Sequence, residues 1–508
     1  MVTKVISCTL TGINGYIVEV ETDISNGIPT FEIVGLADTA VRESRERVRS
    51  AIKNSGIDFP VRRITTNLAP ACLRKEGSVL DLSISIGILA SVNAVPQSLD
   101  EYMFLGELSL DGHIKPVKGI LPMACCAAEN GIKYVIVPEA NAGEAAVVQD
   151  ISVIPVNTLN EVMDHLTGRA IIKSHTVSID DIFHFKNTYN IDFSDVKGQK
   201  SVKRAMEIAA SGGHNLLMIG SPGSGKTMLA KRLPTILPDV TFKEAIEITK
   251  IHSVAGILPQ NTSLLTSRPF RNPHNTISPI GLIGGGKHPK PGEVSLAHYG
   301  VLFLDEFPEF YRDAIEVLRQ PIEDGQINIS RNNSTVQFPS RTTLVCAANP
   351  CKCGFYLEQS GKCSCTPSIV KQYLSRISGP LIDRIDIQIE VQPVSFSELD
   401  DLSIEESSET IRNRVNKARA IQVDRYKKYG IFSNSELSNN MIRRHCALDT
   451  KTNLLLKNAF DKLHFSARAH SKILKVARTI ADMEQSEDIK SYHVAEAIHY
   501  RGLDRVLN

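Results

Sequence analysis

Apolar positions at the start of the chain cluster and alternate as in strands. They predict strands over residues 2–20 and 31–34, broken at Gly12, Gly15, Gly27 and Pro29. Helical spacing takes over at 39–54, with Asp38 placed as N-cap and Gly56 past the end. Arg42, Arg45, Arg47 and Arg49 interleave there with Glu43 and Glu46, which reads as a solvated charged face, a nucleic-acid face being the alternative. Residues 134–138 read as a strand and 142–149 as a short helix. Together these predict an α+β domain over 1–170, followed by a polar linker at 171–191. A helix over 201–211 comes next. Three short apolar runs then read as buried strands: 215–219, 301–304 and 344–348. Residues 327–338 alternate around Asn332 and Asn333, the pattern of a hairpin. Helices are predicted over 411–428, 453–463, 467–483 and 491–501.

The chemistry sits where the buried strands end. After 215–219 comes GSPGSGKT, residues Gly220, Ser221, Pro222, Gly223, Ser224, Gly225, Lys226 and Thr227. This fits the phosphate-binding pattern G-x-x-x-x-G-K-[ST] at every position. A triphosphate needs several N–H donors pointing inward, and the glycines let the backbone turn in without a Cβ in the way. Lys226 suits the β- and γ-phosphates of ATP, and the Thr227 hydroxyl suits Mg²⁺. The second run ends in Asp305 and Glu306. Asp305 is placed to orient Mg²⁺ and Glu306 to polarise an attacking water.

Two C-x-C pairs, Cys351 with Cys353 and Cys363 with Cys365, give the ligand count of a structural Zn²⁺ site. Their spacing is tighter than the usual C-x₂-C, and a disulfide pair or four unbound thiols are the alternatives. Cys8, Cys72, Cys125, Cys126, Cys346 and Cys446 sit in apolar contexts and read as packing residues.

Composition narrows the setting. A chain of 508 residues predicts about three domains. The 42% hydrophobic and 22% charged content fits a globular protein, and a net charge of +1 leaves nucleic-acid binding to local patches. The longest apolar-looking run, 82–95, is short and broken by serines, so no membrane span is expected. With no signal peptide evident and no disulfide pattern, a cytoplasmic protein is expected.

Residues 268–300, RPFRNPHNTISPIGLIGGGKHPKPGEVSLAHYG, closely resemble the magnesium-chelatase-like ATPases of the YifB/ComM family. So do FEIVGLADTAVRESRERVRSAI near the start and FSARAHSKILKVARTIADME near the end. The resemblance covers nearly the whole chain. It implies a Lon-protease-like α+β domain (ribosomal S5 domain 2-like), an AAA+ P-loop α/β core over 192–395 and a helical lid over 396–508. The D-V-x-G-Q element at 195–199 is familiar from AAA+ ATPases, where it packs near the adenine. The resemblance also implies Asn349 as the polar residue between the two motif strands, and Arg384 as an arginine finger reaching a neighbouring subunit's ATP, with Arg376 as runner-up. It implies Arg468 as a second sensor at a lid helix start. The alternatives are structural ion pairs, of Arg384 with Asp383 or Asp386, and of Arg468 with Asp461.

A finger acting in trans implies a homo-oligomeric ring, a hexamer being expected. The family implies an ATP-driven helicase on single-stranded or branched DNA, promoting branch migration in recombination and natural transformation. In such a ring Lys287, His288 and Lys290, with Arg331 at the hairpin tip, would meet DNA phosphates. Packing against a neighbour is the alternative for the 284–290 loop. The rival reading is the motor subunit of a metal-insertion complex. For the first domain the resemblance rests on Lys75-Glu-Gly-Ser78, Pro116-Val-Lys-Gly119 and the run from Cys125 to Pro138. The Lon nucleophile and lysine align with Val79 and Leu121, which cannot do that chemistry, so no peptidase activity is expected.

Overall fold

A computed structural model describes residues 2–184, 190–259, 262–286, 289–331, 334–358, 362–377, 379–400, 405–463 and 465–503. The chain divides into two compact units, one of Met1–Lys186 with Phe242–Thr266 and Asn332–Gln337, the other of the remainder.

The first unit is built on a seven-stranded sheet. Its strands are β1 (Thr3–Thr11), β2 (Asn14–Ser25), β3 (Thr30–Val34), β4 (Arg63–Ala69), β5 (Tyr102–Phe104), β6 (Tyr134–Pro138) and β7 (Ser152–Val156), in the order β3-β4-β2-β1-β5-β6-β7. The expected run over 2–20 is the β1–β2 hairpin, pairing Thr11 with Asn14 across a turn at Gly12, whose φ is +64°. Helix α1 (Thr39–Asn54) begins where the sequence places it, because the Asp38 side chain accepts the Val41 N–H at 2.8 Å. The short helix expected over 142–149 lies earlier, at Glu139–Ala145, starting directly from the end of β6.

The solvated-face reading of α1 fails at Arg47. Its guanidinium forms a two-pronged contact with the fully buried Asp81 at 2.6 and 3.1 Å, and Ser44 donates to the same carboxylate. Asp81 opens helix α2 (Asp81–Ser91), an almost wholly buried helix where the sequence shows its apolar run. Burial pushes the Asp81 carboxyl up, and Arg47 and Ser44 work against that. Val79 and Leu121, the positions aligned with the Lon dyad, are buried apolar side chains. The neighbouring Ser78 hydroxyl donates to Glu107, and the Lys75 ammonium donates to the Pro70 carbonyl. Cys72 is exposed, contrary to its expected packing role; Cys8, Cys126, Cys346 and Cys446 are buried as expected.

Helix α3 (Ile120–Glu129) is covered by the helix Phe242–Ala255, which comes from the middle of the sequence. There Ser253 donates to the buried Glu144 carboxylate, which also accepts the Leu121 N–H at 2.9 Å.

The second unit holds a parallel five-stranded sheet. Its strands are β8 (Leu216–Gly220), β9 (Phe270–Arg271), β10 (Val301–Leu304), β11 (Thr343–Ala348) and β12 (Ile387–Val391), in the order β9-β10-β11-β8-β12. Apart from Thr343 at the start of β11, the central strands are apolar because both faces are covered. Helices α4 (Lys200–Gly212) and α5 (Lys226–Ile236) flank the phosphate loop. Farther along come α6 (Pro367–Leu374), α7 (Ser408–Tyr426) and α8 (Ala467–Met483). The basic residues of α7 are not a free face. Arg414 pairs with Glu207 at 2.6 Å, Arg425 pairs with the buried Asp482 at 2.6 Å, and Arg419 donates to the Ala210 carbonyl. Among the described residues, no helix is long and apolar enough to cross a membrane.

Candidate nucleotide site and four-cysteine cluster

Strand order brings the chemistry together. β11 lies between β8 and β10, so the ends of all three strands face one place: the phosphate loop, Asn349 and the carboxylates Asp305 and Glu306. The Lys226 ammonium is mostly buried and turns back on its own loop. It donates to the carbonyls of Gly220 at 2.7 Å and Ser221 at 2.8 Å, and reaches the Asn349 side-chain oxygen at 3.3 Å. Burial lowers its pKa from the ordinary lysine value. The Thr227 hydroxyl donates to Asp305 at 2.7 Å.

These residues fit a nucleotide with its metal. The Ser221 and Ser224 hydroxyls are buried and find no partner among the described residues. A Cβ at Gly220 would lie 2.2 Å from the Val391 carbonyl oxygen, so only glycine lets the loop leave β8 this way. Gly225, with φ +91°, starts α5 and points its N-terminus at the loop.

Glu306 has a left-handed backbone, φ +50°, which turns the chain sharply after β10. Its carboxylate accepts from the Asn275 amide at 3.3 Å. The sequence reading passed over Asn275, although it lies within the stretch that carries the family resemblance. Gln199, the last residue of the D-V-x-G-Q element, donates to the Ser224 carbonyl at 3.4 Å. That places the element against the phosphate loop. Asn215, just before β8, was also missed. Its side chain accepts the Leu344 N–H at 2.9 Å and donates to the Arg384 carbonyl at 3.1 Å.

The arginines have partners other than those considered from sequence. Arg384 is only 13% exposed and pairs with Glu323 at 2.5 Å. Arg376 pairs with Glu309 at 3.1 Å, with its side chain 55% exposed. Arg468, at the start of α8, is 58% exposed and contacts Asp383, not Asp461, at 3.5 Å. Lys290 is exposed, in a short strand paired with Gly284 and Gly285. Lys287, His288, Asn332 and Asn333 lie outside the described residues, as does the side chain of Arg331, which ends the strand Gln326–Arg331.

Cys351, Cys353, Cys363 and Cys365 converge, with all four sulfurs within 4.8 Å of one another. Three of the separations are 3.3, 3.6 and 3.8 Å. A disulfide would bring two sulfurs to about 2.05 Å. A tetrahedral ion with bonds of about 2.3 Å spaces its thiolates at about 3.8 Å. N–H donation from Phe355, then the neighbouring Cys351 thiol, brings Cys353 down to about 6. Cys351 is fully buried against Val370, Tyr373 and Leu374 of α6.

Comparison with known proteins finds magnesium-chelatase relatives. The family described as magnesium chelatase, subunit ChlI, matches residues 192–399. The family described as subunit ChlI of Mg-chelatase matches 20–141, and the ChlI C-terminal family matches 405–501. The competence protein ComM of Haemophilus influenzae is 43% identical over 505 residues, covering 98% of this chain and 96% of its own. The chain belongs to the YifB/ComM family of magnesium-chelatase-like proteins. Another relative in this YifB/ComM family is YifB of Escherichia coli, 42% identical over 502 residues and covering 98% of this chain and 96% of its own. The Lon protease of Rhizobium meliloti is 26% identical over 167 residues, 30% of this chain and 21% of that enzyme. Membership in this magnesium-chelatase-like AAA+ family suggests an ATPase using ATP and Mg²⁺.

Proposed function

We propose that this protein is an ATP-driven, ring-forming DNA motor, a helicase that promotes branch migration of joint molecules during recombination and natural transformation. The observation that carries the motor reading is the convergence of Lys226, Thr227, Asp305, Glu306 and Asn349 at the carboxyl ends of β8, β10 and β11. The full-length similarity to a protein named for competence supports DNA as the track.

In this reading Lys226 exchanges the Gly220 and Ser221 carbonyls for phosphate oxygens. Thr227 and Asp305 hold Mg²⁺, which when bound neutralises charge on the phosphates. Glu306 accepts the proton of the attacking water, and Asn349 orients that water and the terminal phosphate. Arg384 leaves Glu323 to offset charge at a neighbouring subunit's ATP, completing a site the single chain lacks. Arg468 couples lid angle to the nucleotide. The ring is a hexamer. Lys287, His288, Lys290 and Arg331 touch DNA phosphates, and the first unit is a docking layer without peptidase activity. The cytoplasm is its place of action. The four cysteines hold one structural zinc, on the strength of their sulfur spacing.

The test is the ATPase rate of the purified chain with and without single-stranded or branched DNA. Strong stimulation is expected, with Glu306→Gln lowering kcat by roughly 10²–10⁴. Lys226→Ala is expected to abolish nucleotide binding. A ring that consumes ATP yet neither binds nor remodels DNA at low salt overturns the motor on DNA. The matched families are all named for a chelatase subunit, which favours a second reading, the motor subunit of a metal-insertion complex. Stimulation by a porphyrin-binding partner, with none by DNA, would select it.

A further inference from the structure

We infer that the ion held by Cys351, Cys353, Cys363 and Cys365 braces the phosphate loop, so that nucleotide affinity depends on the metal; this rests on the zinc reading above. The cysteine cluster and the phosphate loop touch. Gly354 follows Cys353 in a turn closed by its own N–H to the Cys351 carbonyl at 3.0 Å. Its φ is +89°, and a Cβ there would lie 2.5 Å from Cδ and 2.7 Å from Cγ of Pro222, the third residue of the phosphate loop. Two separate requirements, left-handed backbone and close approach, thus fall on one glycine. The same strand end carries Asn349, two residues before Cys351, and Asn349 contacts Lys226 at 3.3 Å. Cys351 therefore follows directly on one contact with the nucleotide loop and begins the turn that makes a second.

The other side of the cluster faces α6. Cys351 packs on Val370, Tyr373 and Leu374, and beyond them Arg376 lies over the Tyr373 ring at 5.8 Å. One ion would hold together the floor of the phosphate loop and the helix leading to Arg376 and Arg384.

Physical chemistry explains why the brace needs a metal. The described residues of 351–358 and 362–365 form no helix or strand, so ligands that close the loop contribute to its order. Four thiolates this close repel one another unless a cation neutralises them. Zinc entry displaces the thiol protons to solvent, and its binding free energy becomes ordering free energy for the loop. All four sulfurs within 4.8 Å suit a single ion and not a multi-metal cluster, which spreads its thiolates over several metal atoms.

The experiment uses the full-length chain purified without chelator. Mass-spectrometric metal analysis is expected to find about one zinc per chain. Binding of a fluorescent ADP analogue is then followed before and after zinc is stripped and the chelator removed. Stripping is expected to weaken binding about ten-fold, an ordinary coupling between two sites, with recovery when zinc is returned. Gly354→Ala keeps all four ligands, so it is expected to retain zinc yet weaken ADP binding several-fold. Cys353→Ser is expected to lose both. No zinc, or iron in its place, overturns the zinc reading and this inference with it. Zinc present, with ADP affinity unchanged on stripping, overturns the brace alone, whatever Gly354→Ala does.

Discussion

Asp386 concentrates the charge contacts at the base of β8. It is almost fully buried, receives the Lys472 ammonium at 2.5 Å and the Asn215 N–H at 3.1 Å, and faces the His214 ring at 3.5 Å. Burial pushes its carboxyl up. The charge of the Lys472 ammonium outweighs this and holds it well below the ordinary carboxylate range. Lys472→Met leaves that carboxylate buried without its ammonium, and is expected to cost about 3 kcal/mol in urea unfolding at neutral pH. A depressed folded pKa gives stability that is complete above the unfolded value near 3.8 and is lost on acidification below it. The wild type and Lys472→Met are therefore expected to differ less as the pH falls below that value. The phosphate loop and the carboxylate pair were legible because each is contiguous in sequence. The partners of Arg47, Arg384 and Asp386 were not, because each comes from a distant segment that no local spacing reveals.

Elements were most legible where a local signal marks their ends. Asp38 caps α1, Ser466 caps α8 by accepting the Ala469 N–H at 3.2 Å, and both helices start where the sequence places them. The Glu139–Ala145 helix was misplaced because Pro138, which closes β6, is also its N-cap, leaving no polar turn to mark the change. The partners of the α7 arginines were not legible, because charge pattern along a helix does not say which charges meet buried carboxylates. Strand order gives the arrangement its test. If Arg384 acts in trans, Arg384→Ala is expected to bind ATP normally and lose roughly 10³–10⁵ in turnover. Mixed with Lys226→Ala, which still offers an intact Arg384, it is expected to recover part of the ATPase rate. No gain on mixing would place the arginine's effect within its own chain.

At the scale of the molecule, the sequence reading laid the domains end to end. The structure instead assigns Phe242–Thr266 to the first unit. Nothing in the local pattern of 242–255 distinguishes a helix serving a remote sheet from one serving its neighbours. The consequence for excised pieces is direct. A fragment of residues 1–186 lacks the helix over α3 and leaves Glu144 without Ser253. It is expected to bind a hydrophobic dye and unfold with low cooperativity, and addition of the 242–266 stretch through a short tether is expected to restore a sharp transition.

That placement also sets a timetable for biosynthesis. Because the helix Phe242–Ala255 is encoded after the GSPGSGKT segment, a nascent chain cannot finish its first unit when residue 186 leaves the ribosome. It must wait until that helix emerges, with the α3 surface uncovered and open to chaperones throughout the interval.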